Sequence, residues 1–246
     1  MEKKILDFIL VPVGLLVLLS YHLWLLLRII HNPTKTVVGV NAISRRFWVQ
    51  AMMEEVPKNG VLAVQSLRNN IMASTLVASM AIMLSSLIAI LLSHSGDEER
   101  KVIVVYGDRS DLCLSIKFFA ILVCFMVAFL MNVQSIRYYS HASILINVPF
   151  KKVCPNIRHQ ILTSDYVATT VNRGSYFWSL GLRAFYFSFP MFLWLFGPIP
   201  MFVSCFVLVF MLYFLDLTFE HGWAAVSAIE PDQNRRDIEA AAGISN

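Results

Sequence analysis

The chain has 246 residues, 57% of them hydrophobic and 15% charged, with a formal net charge of +4 and a mean hydropathy of +0.65. Soluble domains carry about 25% charged residues, so this composition belongs to a membrane protein. It excludes a disordered chain, a secreted disulfide scaffold and a soluble nucleic-acid binder.

A helix needs roughly 20 apolar residues to cross a hydrocarbon core of about 30 Å, and runs of that kind organise the chain. Lys3 and Lys4 precede the first predicted span, about 7–27, in which His22 is the one side chain after Asp7 that titrates near neutrality. No small-residue cleavage site follows it, so the span is expected to stay as a signal anchor. A basic loop comes next, with Arg28, Lys35, Arg45, Arg46, Lys58 and Arg68 against Glu54 and Glu55. Within it Asn41 is placed to cap a helix that Pro57 ends. Its apolar face holds Ile43, Phe47, Trp48, Ala51 and Met52. Arg45, Arg46 and Trp48 suit a helix lying among lipid headgroups; packing of that face on another helix is the alternative.

From Val61 the apolar spacing is helical straight into the second span, 71–92, where Ala81, Ser85 and Ala89 offer a surface for close approach. The following loop balances Arg100, Lys101, Arg109 and Lys117 with Asp97, Glu98, Glu99, Asp108 and Asp111. The third span, 112–136, is interrupted only by Lys117 and continues as helix toward Pro149. A second basic loop carries Arg137, Lys151, Lys152, Arg158 and Arg173 against Asp165. The run 184–215 has no charge at all. As one helix it would extend about 48 Å, too long for an ordinary crossing. Gly197-Pro198-Ile199-Pro200 lies inside it and predicts a hairpin between spans at about 177–196 and 201–219. A single kinked helix would reduce five spans to four.

The expected fold is therefore all-α: a multi-pass transmembrane helical bundle of five spans in one domain, 1–222, with helical extensions beyond the membrane and a flexible tail, 223–246. Lys and Arg concentrate in the first and third loops and the tail. The rule that cytosolic loops carry the cations puts the N-terminus outside or lumenal and the C-terminus in the cytosol.

Charges at membrane depth are costly and each needs a partner. Arg183 and Asp216 stand at similar distances on either side of the proline turn, which predicts an ion pair toward the cytosolic end. His22, Arg68, Asn69, Asn70, Asn132, Gln134, Arg137, Arg173 and Glu220 fall near that same end. They are candidates to line a cytosolic vestibule for an anion or a lipid headgroup. The plainer reading makes them interface residues that fix the helix ends, and is preferred because no charge sits at the midplane of a span. No phosphate-binding glycine loop, zinc-helix motif, paired-cysteine motif or nucleophile elbow is found. The six histidines never occur at helical spacing. No catalytic residue, metal or cofactor is expected, and no nucleic-acid partner.

Several segments resemble one family: His31-Asn32-Pro33-Thr34, the stretch from Gly60 to Asn69, Val133 to Tyr139, Arg173 to Tyr186, Gly197 to Pro200 and Tyr213 to Asp216. They look like the plant branch of the membrane family called domain of unknown function 599. The resemblance implies a plant multi-pass membrane protein and carries no activity or site residue. The leading expectation is a non-enzymatic membrane component or scaffold of a plasma or endomembrane, with the bilayer and anionic headgroups as partners. A small oligomeric channel or transporter for an anion or metabolite, assembled from copies of the chain, is the first alternative. A lipid-binding or lipid-modifying protein with a basic cytosolic face is the second.

Overall fold

A computed structural model describes residues 2–94, 111–149 and 157–217. They form six helices: α1 (Glu2–His31), α2 (Val37–Glu54), α3 (Val56–His94), α4 (Asp111–Leu145), α5 (Ile157–Leu193) and α6 (Pro198–Asp216), with a 3₁₀ turn at Pro33–Lys35. Among the described residues there is no strand beyond one isolated bridge, Thr36 to Leu217. The expected tail and Glu220 lie outside the described residues, as does the end of the last predicted span.

Four helices hold segments long and apolar enough to cross a membrane: Leu6–His31, Val56–Leu91, Leu112–Leu145 and Pro198–Asp216. Their outward faces expose Phe8, Leu16, Met83, Leu87, Phe119 and Phe210, a surface that only lipid or another protein could cover comfortably. α5 is not among the four, because Arg183 and several hydroxyl side chains dilute its apolar run. It nevertheless passes through the bundle. Residue pairs show α5 antiparallel to α4 (Phe125 with Phe185, Tyr138 with Phe177) and antiparallel to α6 (Arg183 with Asp216). α3 is antiparallel to α4, from Gly60 beside Asn147 to Ser74 beside Ser135. α1 runs parallel to α6, from Gly14 beside Cys205 to Trp24 beside Tyr213. α1, α3, α4, α5 and α6 thus alternate in direction, four of them long and apolar enough to cross a membrane, and α2 caps the end where α1 finishes and α3 begins.

The hairpin is a true reversal. α5 stops at Leu193, residues 194–197 turn, and α6 starts at Pro198, so the single kinked helix is excluded. Proline is suited to the first turn of a helix, where its missing N–H would have no intrahelical partner. Gly197 before it has φ 157° and ψ 169°, a region that side chains essentially forbid.

The same logic corrects the first loop. α2 begins at Val37, capped by the Thr36 hydroxyl accepting from the Gly39 N–H at 3.3 Å. Asn41 is thus inside the helix. Pro57 opens α3 instead of ending α2, because the second position of a helix tolerates it. α5 likewise starts about twenty residues before the expected span, extending the bundle beyond the apolar runs.

Packing along α3 and α4 follows a 3-4 spacing. Along α4 and the turn after it the buried residues are Leu114, Lys117, Phe118, Ile121, Phe125, Ala128, Asn132, Ser135, Tyr139, Ala142 and Ile146. On α3 they are Ala63, Leu67, Ser74, Ala78, Ala81, Ser85 and Ile88. Such heptad spacing is that of antiparallel knobs-into-holes packing. The close-approach stripe therefore runs through Ser74, Ala78, Ala81 and Ser85; Ala89 is exposed. Beyond the apolar runs, α2, α3, α4 and α5 share a second core of Val49, Leu67, Tyr139, Ile146, Val167 and Val171, with Trp48 packed against it.

Candidate functional site

The polar centre of the molecule forms where α1, α2, α5 and α6 meet. Arg183 donates to Asp216 Oδ1 at 2.5 Å, and the two side chains are 16% and 9% exposed. Tyr21 of α1 donates to the other carboxylate oxygen at 2.8 Å. Asp216 thus has both oxygens engaged, and one charge on each helix of the hairpin satisfies the other. Two donors here are not used. Arg183 NH1 and Trp178 Nε1 are buried without a hydrogen-bond partner among the described residues. Buried unsatisfied donors each cost about 1–3 kcal/mol and therefore call for an explanation.

Both donors belong to residues that line a cavity of about 270 Å³, bounded also by Arg45 and Asn41 of α2, Ser175 and Ser179 of α5, and Leu215 and Asp216 of α6. Ser175, Ser179, Leu182 and Tyr186 lie three or four residues apart, so a single face of α5 supplies one wall. Arg45 is held by its Nε–H, which donates to Asn172 Oδ1 at 2.8 Å, while Asn172 donates to the Ala42 carbonyl at 3.1 Å. Burial lowers the Arg45 pKa, with nearby Tyr139 and Tyr176 partly opposing that shift. A guanidinium still remains charged at neutral pH. The cavity is therefore lined by two cationic residues and one carboxylate, with the two spare N–H donors buried in its wall.

The other expected site residues are distributed differently. Arg46 pairs with Asp165 of α5 on an exposed surface, while Trp48 packs against the second core. His22 donates from Nδ1 to the Leu18 carbonyl at 2.8 Å, its ring lies 5.0 Å from that of Phe187, and its Nε2 is buried without a partner. Arg68, Asn69, Asn70, Arg137 and Arg173 are exposed, and Gln134 is half-buried. None of these six lines the cavity. Asn132 is buried between α4 and α5, donating to the Ala128 carbonyl at 2.8 Å, with Gly181 packed against its amide.

Sequence reasoning did not pick out Tyr21, Trp178 or Asn41. It also missed a second polar group at the opposite end of the bundle. There Lys117 is fully buried, its Nζ without a hydrogen-bond partner among the described residues and 5.3 Å from the centre of the Trp194 ring. The Trp194 indole donates to Asp7 Oδ1 at 3.1 Å. A signal existed for one of these: Lys117 is the single charge in its span.

Compared with known proteins, residues 9–221 match the family model described as "Protein of unknown function, DUF599". No curated protein and no solved structure matches the chain.

Proposed function

Because the chain belongs to the DUF599 family of proteins of unknown function, whose description supplies no activity, we propose a role from the cavity itself. The protein is an integral membrane binding component that holds an anionic group, a phosphate or carboxylate, between α2 and the α5–α6 hairpin. The observation carrying this is a pair of buried, unpartnered donors, Trp178 Nε1 and Arg183 Nη1, on residues that line a cavity bounded also by Arg45; a small side-chain shift brings both to its surface. An anion accepting from all three would remove the penalty of leaving them unmade. Asp216 does not oppose this, since Arg183 and Tyr21 already engage its oxygens.

The cavity lies at the C-terminal end of α6, a helix apolar enough to cross a membrane, which supports a position at headgroup level. We place this end in the cytosol, supported by the excess of Lys and Arg in the segments that join helices there. The segments quoted above support the plant branch of the family.

Purified protein in detergent tests the reading. Inorganic phosphate titrated at constant ionic strength against chloride is expected to raise the unfolding temperature. By mass action the gain reaches about 2.7 kcal/mol at a hundredfold excess over Kd. Trp178→Phe and Arg45→Gln should each remove most of the phosphate-specific shift. An equal response to chloride, or a shift unchanged in both variants, would overturn it.

A further inference from the structure

We propose that the ligand of this cavity is an anionic lipid, its headgroup held by Arg45, Trp178 and Arg183 and one acyl chain laid in an adjoining groove between α5 and α6. The inference rests on the anion-binding reading above and adds the chemical class of the ligand.

The groove has a volume of about 290 Å³ and shares Tyr186, Leu212 and Leu215 with the polar cavity, so the two adjoin. Away from that junction its walls are Phe189, Pro190, Val207, Leu208 and Met211. Ser204 adds a hydroxyl, but it donates to the Met201 carbonyl at 2.7 Å and offers nothing to a polar guest. Between Leu215 and Ser204 the groove follows α6 for about 16 Å, eleven residues at the helical rise. Such a volume spread over that length leaves a section far smaller than a helix of about 10 Å diameter, and suits a single hydrocarbon chain. Phe189, Val207, Met211 and Leu215 are each more than half exposed on their outer side, so a chain could enter sideways from the bilayer.

Polarity along this path changes in the order that an amphiphile requires. Donors and cations stand at the α2 end, aromatic and aliphatic side chains follow, and the groove descends along a helix apolar enough to span a membrane. A soluble phosphate would use only the upper half. In a bilayer the groove adds little affinity, because lipid tails are as apolar as its walls. It sets where the tail lies when the headgroup is bound.

Photo-crosslinking reads that position directly. The full chain is placed in phosphatidylcholine nanodiscs containing a minor fraction of phosphatidate with a photoactivatable acyl chain. Adducts are then mapped by mass spectrometry. Phosphatidate is expected to label Phe189, Val207 and Met211 several-fold more than the exposed α3 residues Leu76 and Met83. Phosphatidylcholine carrying the same chain should label the two faces evenly. Arg45→Gln leaves the Arg183–Asp216 pair intact and should lower groove labelling several-fold without changing α3. Val207→Trp fills the groove and should remove its labelling while keeping the phosphate-dependent stabilisation. Even labelling by both probes, or groove adducts unaffected by Arg45→Gln, would each overturn the lipid proposal. If phosphate still stabilises the protein in such a case, the anion site stands and only the lipid assignment fails; if that response is absent too, both readings fall.

Discussion

A guanidinium and a carboxylate removed from water need each other, since the residual penalty is several kcal/mol per ion. Arg183→Leu would leave Asp216 charged and half-satisfied, and is expected to cost about 3–5 kcal/mol in detergent unfolding. Exchanging the charges, Arg183→Asp with Asp216→Arg, should restore much of the loss. Failure of that rescue would show that the pair does not carry the site. Tyr21→Phe removes one hydrogen bond to a charged group and should cost about 2 kcal/mol. Lys117 presents the opposite case. Its side chain is fully buried against the Trp194 ring, with no hydrogen-bond partner among the described residues, and cation–π attraction of roughly 0.5–2 kcal/mol does not repay the loss of hydration. Lys117→Met keeps the stem volume and is expected to leave the unfolding temperature equal or higher; a marked fall would mean that the charge is satisfied. The Arg183–Asp216 pairing could be anticipated by counting residues from the proline turn. Tyr21 and Trp178 could not, because neither is charged and their relation to the pair depends on helix rotation.

Helices in this molecule are ended by backbone chemistry and spaced by small residues. Gly197 sits where an added Cβ is strained, so Gly197→Ala should cost about 1–3 kcal/mol and loosen the hairpin, measurable as a lower unfolding temperature. Along α5, Gly174 packs on the Tyr139 ring and Gly181 on the Asn132 amide. Asn132 is already tied to the Ala128 carbonyl, so it cannot swing away freely. Gly181→Val is expected to cost about 1–3 kcal/mol by overpacking. An unchanged unfolding temperature would show that α4 and α5 can part at that level. The heptad seams of α3 and α4 were hard to read beforehand for a physical reason. Lipid-facing positions are as apolar as core positions, so the period survives only in where small and polar residues fall. Ala81 and Ser85 carried that signal; Ser74 and Ala78 complete it.

Across the described residues, the alternation of α1, α3, α4, α5 and α6 puts residues 2 and 217 at opposite ends of the bundle, and we propose that all five helices cross the bilayer. Tags added before residue 1 and after residue 246 should therefore show opposite protease accessibility in sealed vesicles, and accessibility from the same side would contradict five passes. α5 is the pass that composition alone undervalues. α4 and α6 flank it and α2 covers its N-terminal half, so it can carry Arg183, Asn172 and its serines against protein instead of lipid. By itself, the amino-acid sequence determined the membrane class, the long apolar runs, the hairpin prolines and the concentration of cations at one end, because each is a local property of composition or backbone. Tertiary structure alone decided that Arg45 and Trp178 join Arg183 around one cavity and that an apolar groove continues from it. Those residues stand on different helices or different turns. Which of them meet depends on helix register and rotation, and packing across the bundle sets both.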